Sequence, residues 1–113
     1  MVPEVEPRKT RISIALTTAS NREEADRIAL ALVEARLAAC VNIVDGVHST
    51  YRWKGKVEQS SEMMLFIKTT EENLSELEQT LKSLHSYEVP EMLVLSVAAA
   101  NDSYLQWVQT SVK

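Results

Sequence analysis

Glycine is scarce: only Gly46 and Gly55 occur in the chain. Two glycines leave no phosphate-cradling loop of the usual kind, and neither G-x-G-x-x-G nor G-x-x-x-x-G-K-[ST] is present. H-E-x-x-H, C-x-x-C and G-x-S-x-G are missing too. Nothing in the order of residues sets a nucleophile beside a base and an orienting group, so an enzyme is not expected. Cys40 is the single cysteine, which excludes an intrachain disulfide and suits a reducing compartment. Excess positive charge is lacking: the net charge is −4, with Lys and Arg scattered among acids. A nucleic-acid partner, which needs clustered basic residues, is therefore not expected. No run approaches the ~18 apolar residues of a membrane span, and the opening MVPEVEPRK has no apolar signal segment. The expectation is a cytoplasmic protein with no membrane partner.

What is present is a core. Hydrophobic residues make up 45% of the chain and charged residues 25%, close to the globular norm. Residues 1–9, with Pro3 and Pro7 among charges, predict a disordered arm; residues 10–113 predict one domain. The domain is organised around Ala38 to Thr70. There Trp53-Lys54-Gly55-Lys56 has turn chemistry, and β-branched and aromatic residues flank it on both sides. Two arms of roughly 14 residues would each reach about 45 Å. Gly46, after Asp45, predicts a bulge in the first arm.

Around this hairpin the pattern predicts a first strand at Thr10 to Thr18, where Ile12, Ile14 and Leu16 alternate with Ser13, Ala15 and Thr17. A helix follows, opened by the S-x-x-E capping pattern of Ser20 and Glu23 and ending near Leu37. Its stripe is Ala25, Ile28, Ala29, Leu32 and Val33. After the hairpin, Leu74, Leu77, Leu81 and Leu84 mark a second helix from Glu71 to Leu84. His85 to Pro90 breaks it. A strand at Glu91 to Ala99, apolar at both parities, should be covered on both faces. Asn101 or Asp102 caps a short last helix carrying Tyr104, Leu105, Val108 and Val112. The order βαββαβ with an extra C-terminal helix is the ferredoxin-like plan, an α+β sandwich with a long central hairpin. A helix of about 17 residues covers only roughly 26 Å. The rest of the hairpin would stand as a marginal ribbon unless another chain paired with it, so an oligomer is expected.

Few side chains offer chemistry. Cys40 reads as a soft metal ligand or a small buried hydrophobe, and His48 as a surface histidine. His85, in a Pro-fixed loop beside Glu88 and Glu91, reads as a metal ligand or as a cap on the second helix. Lys68 shares parity with Met64 and Phe66 and points where they point, as an anion-binding group or an ion-pair partner of an acid such as Glu91. Glu62 opens the same apolar run. Tyr51, Trp53 and Trp107 read as a ligand platform or, as large aromatics more often do, a subunit interface.

The blocks LAACVNIV, STYRWKGKVE (Ser49 to Glu58), FIKTT and HSYEVPEML, in this order and spacing, resemble the CutA divalent-cation tolerance family. The resemblance runs from about Ile12 to Val112. It implies a small homotrimer of ferredoxin-like fold, similar in architecture to PII signalling proteins, and a role in tolerance to copper and other divalent cations. In some bacterial members copper binding is attributed to a Cys ending the first strand and a His-His pair after the second helix. Thr17 and Leu84-His85 stand at those positions here. With only His85 of those ligands in place, the expectation is a divalent metal such as copper, weakly bound, with His85 as its ligand and Glu88, Glu91 or a residue across the subunit interface completing the shell. The alternative is a PII-like sensor binding a small anionic ligand in intersubunit clefts lined by Glu62, Lys68, Tyr87 and Glu91.

Overall fold

Two long antiparallel strands, β2 (Cys40–Trp53) and β3 (Lys56–Thr70), form the hairpin at the centre of the computed structural model. The model describes residues 10–113; the arm expected at residues 1–9 lies outside them. Lys54 and Gly55 both take positive φ, 50° and 80°, as a two-residue turn matched to strand twist requires. The register jumps between Val44↔Met64 and Val47↔Glu62, so Asp45-Gly46 adds one residue to β2. Gly46, at φ 73°, supplies the left-handed conformation of this bulge.

The other elements are β1 (Ile12–Ala19), α1 (Arg22–Glu34), a single 3-10 turn (Glu71–Asn73), α2 (Leu74–Leu84), β4 (Leu93–Ser96) and α3 (Asp102–Ser111). The antiparallel sheet has the order β2-β3-β1-β4. The order of elements matches the sequence expectation, whereas several details differ.

α1 starts one residue later than the S-x-x-E pattern suggests. Asn21 is the cap, its Oδ1 accepting from the Glu24 N–H at 2.8 Å, while Glu24 reaches back to the Ser20 N–H at 3.0 Å. The same helix stops at Glu34, short of Leu37. Arg36 turns left-handed at φ 58°, and the Leu32 carbonyl accepts from the Leu37 N–H at 2.9 Å, a closing turn that glycine more often makes.

The core lies between one sheet face and α1 with α2. Ala15 and Ala19 of β1 and Leu65 and Ile67 of β3 meet Ala25, Ile28, Leu32, Leu77 and Leu81 there. β1 thus gives the helices its small residues, which let them approach closely. Val33, expected in the buried stripe, is exposed.

The opposite face carries Ile14 and Leu16, paired through the register with Lys68 and Phe66 on one side and Leu95 and Leu93 on the other. α3 covers only one end of this face, through Val108 and Val112 against Ile12 and Ala39. β4 departs most from expectation. It is a four-residue edge strand, and Leu93 and Leu95 are 58% and 51% exposed instead of covered. Among the described residues nothing covers these side chains.

Candidate functional site: an acidic cleft under the hairpin

The bulge decides which side chains share a face. Before it, Val44 pairs with Met64; after it, the odd residues Ser49 and Tyr51 pair with Ser60 and Glu58, on the face of Glu62. Paired residues of an antiparallel ladder point to the same side. One inserted residue thereby brings Ser49, Tyr51 and Trp53 beside Glu58 and Glu62 and turns His48 away from them.

The second wall is the segment after α2. The fold pins His85 there, with its side chain fully buried. Its Nδ1 accepts from the Tyr87 N–H at 3.1 Å, which leaves the ring proton on Nε2, 2.6 Å from the Thr18 carbonyl oxygen. Behind it lies Glu24, buried at 4% side-chain exposure. One Glu24 oxygen accepts from the Ser20 N–H and hydroxyl, both at 3.0 Å, and the other from the Ser86 N–H at 2.8 Å. Burial alone would raise the Glu24 pKa, but the hydrogen bonds from Ser86 and Ser20 outweigh it and hold the carboxyl at about 2. Two buried side chains thus fix the path of the 85–87 backbone and aim Tyr87 forward.

Tyr87 donates its hydroxyl to Glu62 at 2.6 Å. The two walls enclose a cleft of about 720 Å³, lined among others by Tyr51, Trp53, Tyr87, Glu58, Glu62, Glu88 and Glu91. Burial pushes Glu62 up, yet hydrogen bonds with Ser49, Tyr87 and Thr18 bring its carboxyl below the ordinary value. Burial and the charge of Glu62 push Glu91 above it. The Tyr87 phenol is raised by burial and by its bond to Glu62. Glu62 thus gives up its proton more readily than an ordinary glutamate, and Glu91 less readily. Among the described residues, no Lys or Arg lines it.

Of the residues singled out from sequence, Glu62, Tyr87 and Glu91 come together here, with Tyr51 and Trp53. Lys68 does not. It shares a face with Glu62 but sits further along β3, where its ammonium lies 5.8 Å from the Tyr104 ring centre under α3. Trp107 lies in the same region, half exposed, 5.5 Å from the Tyr104 ring. Cys40 is part-buried, its Sγ 3.7 Å from the Asn42 Oδ1.

His85, expected as a metal ligand, stands behind the cleft with both ring nitrogens hydrogen-bonded to the backbone. The three positions at which the family resemblance implies copper ligands do not fit such a site. Thr17 is buried with its hydroxyl 3.5 Å from the Thr18 carbonyl, Leu84 packs on the core, and His85 is spent on the backbone. Among the described residues, no three His, Cys, Asp or Glu side chains converge as a metal cluster. Sequence reasoning missed Ser49, Glu58 and the buried role of Glu24. The Asp45-Gly46 bulge was the available signal for the first two.

A model of the CutA1 divalent ion tolerance protein family matches residues 13–111. The divalent-cation tolerance protein CutA of Thermus thermophilus is 47% identical over 96 residues, 85% of this chain and 93% of that one. Human protein CutA is 45% identical over 98 residues, 87% of this chain but only 55% of its own length. Among solved structures, CutA from Xylella fastidiosa superposes with a TM-score of 0.89 at 35% identity, covering 91% of this chain and 99% of that one. The Thermus thermophilus protein gives 0.88 at 44% identity, over 90% and 99% of the two chains.

Proposed function

Because the chain belongs to the CutA1 divalent ion tolerance family, we propose that it serves divalent-cation tolerance as a small homotrimer without catalysis, its acidic cleft holding the cation. The lining of that cleft carries the reading: Glu58, Glu62, Glu88 and Glu91 face it with no Lys or Arg among them. A cleft of one sign concentrates ions of the other. Its described lining offers no cation to a small anionic ligand, since Lys68 lies further along β3, 5.8 Å from the Tyr104 ring centre. The binding is weak, since a tight site needs several donors fixed around one point, and copper is one cation among others rather than a dedicated cargo. The single thiol of Cys40 supports a cytoplasmic location.

The order of elements and of strands supports the ferredoxin-like, PII-like plan. The uncovered sheet face of Ile14, Leu16, Phe66, Leu93 and Leu95 supports assembly through it, and the number three follows the family resemblance. Calorimetric titration with copper and manganese tests the cation site. Weak binding that falls in the Glu62→Gln, Glu91→Gln double variant is expected. Unchanged affinity in that variant would move the site elsewhere, and nanomolar binding by the parent would contradict the absence of a donor cage.

A further inference from the structure

A bare divalent ion asks for oxygen donors gathered at about 2.0–2.6 Å from one point. The cleft is built differently. Its volume of about 720 Å³ falls in the range of sites for small organic molecules, roughly 300–1,000 Å³. Its carboxylates do not gather into a metal cluster, and the rings of Tyr51, Trp53 and Tyr87 and the side chain of Val89 line it beside them. Aromatic faces attract ammonium groups through the ring quadrupole. Trp53 already makes this contact within the chain, with the Lys54 ammonium 5.7 Å from its ring centre. Glu62 is held in place by the Tyr87 hydroxyl at 2.6 Å, so its charge is positioned before any ligand arrives.

Negative charges and aromatic surface in one cleft match a ligand that carries both ammonium groups and hydrocarbon. We propose that the cleft takes a linear organic polycation of the polyamine class. Its ammonium groups meet Glu62 and the neighbouring glutamates, and its methylene segments lie against Tyr51, Trp53 and Tyr87. The inference rests on the cation reading of this cleft and names a second class of cation for it. A polyamine and a divalent metal then compete, so the cleft responds to the balance between them.

The test is calorimetric titration of the full-length protein with spermidine and, separately, with magnesium chloride, at about 0.15 M salt to screen non-specific attraction. Saturable spermidine binding is expected, weakened about tenfold by Glu62→Gln and by Trp53→Leu, each loss being on the order of one ammonium contact. Magnesium binding should respond to Glu62→Gln and ignore Trp53→Leu. Light scattering accompanies each variant; if Trp53→Leu alters assembly, Glu62→Gln carries the decision. Magnesium binding without spermidine binding overturns this inference and leaves the cation reading standing. Spermidine binding indifferent to the deciding variant also overturns it. Binding of neither cation overturns this inference, and the titration with copper and manganese then decides the cation reading by itself.

Discussion

His85 and Glu24 show how one side chain can read as chemistry in a sequence and act as structure in a fold. A loop histidine beside acids has the composition of a ligand, yet its buried ring ties the Thr18 carbonyl to the Tyr87 N–H. That role depends on a partner 67 positions away in the chain, which no local pattern shows. His85→Ala would leave the Tyr87 N–H without its acceptor, at about 1–3 kcal/mol, and the Thr18 carbonyl with only the Thr17 hydroxyl at 3.5 Å. It should lower the urea midpoint clearly while changing copper affinity less than Glu62→Gln does. A larger copper effect in His85→Ala than in Glu62→Gln would restore it as a ligand. Glu24 gives a pH signature. Its carboxyl lies near 2 in the folded protein, against an ordinary 4.5. Because the folded pKa is depressed, the stabilisation is complete above about 4.5 and is lost as pH falls towards 2. The shift corresponds to roughly 3 kcal/mol. Glu24→Gln should flatten the stability profile over that window, measured by urea unfolding at a series of pH values. An unchanged slope would deny the carboxylate its role.

At the scale of elements, the hairpin was legible because its residues agree with each other: positive-φ glycines, β-branched arms and apolar parity all point one way. The face that each arm presents was not. It turns on a single inserted residue, since everything beyond Asp45-Gly46 changes sides. The start of α1 was misplaced by one because Ser20 and Asn21 are both good caps, and only the reach of Glu24 decides between them. The end of α1 was overrun because Leu37 continues the apolar pattern while Arg36 takes a conformation usually left to glycine. Gly46→Ala tests the bulge. A Cβ there meets nothing within 4 Å, so the cost is conformational, about 1–2 kcal/mol for a left-handed alanine. The variant should lose that much in thermal or urea unfolding and should weaken cation binding if β2 re-registers to escape the strain. A variant as stable as the parent would mean that the left-handed geometry is not required.

At the scale of the molecule, an apolar surface and a long ribbon remain after the single-chain core is complete. Leu93 and Leu95 on the edge strand stand exposed beside Ile14, Leu16, Met64 and Phe66, which are only partly buried. Full burial of a leucine is worth about 1.5–3 kcal/mol, so a face of this kind gains substantially from a matching surface and risks edge-to-edge aggregation without one. Part of the face is already closed by α3 at the Ile12 end, and the Leu93 and Leu95 side stays open. The proposed trimer therefore has a specific weak point. Leu95→Glu places a charge opposite Ile14, where assembly would strip it of water at a cost of several kcal/mol. The fold of one chain should tolerate the change, because Leu95 is half exposed within it. Light scattering on a size-exclusion column should give three chain masses for the parent and one for Leu95→Glu, with helical and strand content retained by circular dichroism. A parent that stays monomeric at micromolar concentration would refute the assembly. A Leu95→Glu variant that remains trimeric would move the interface off this face and onto the hairpin, where Trp53 and Tyr51 would have to carry it.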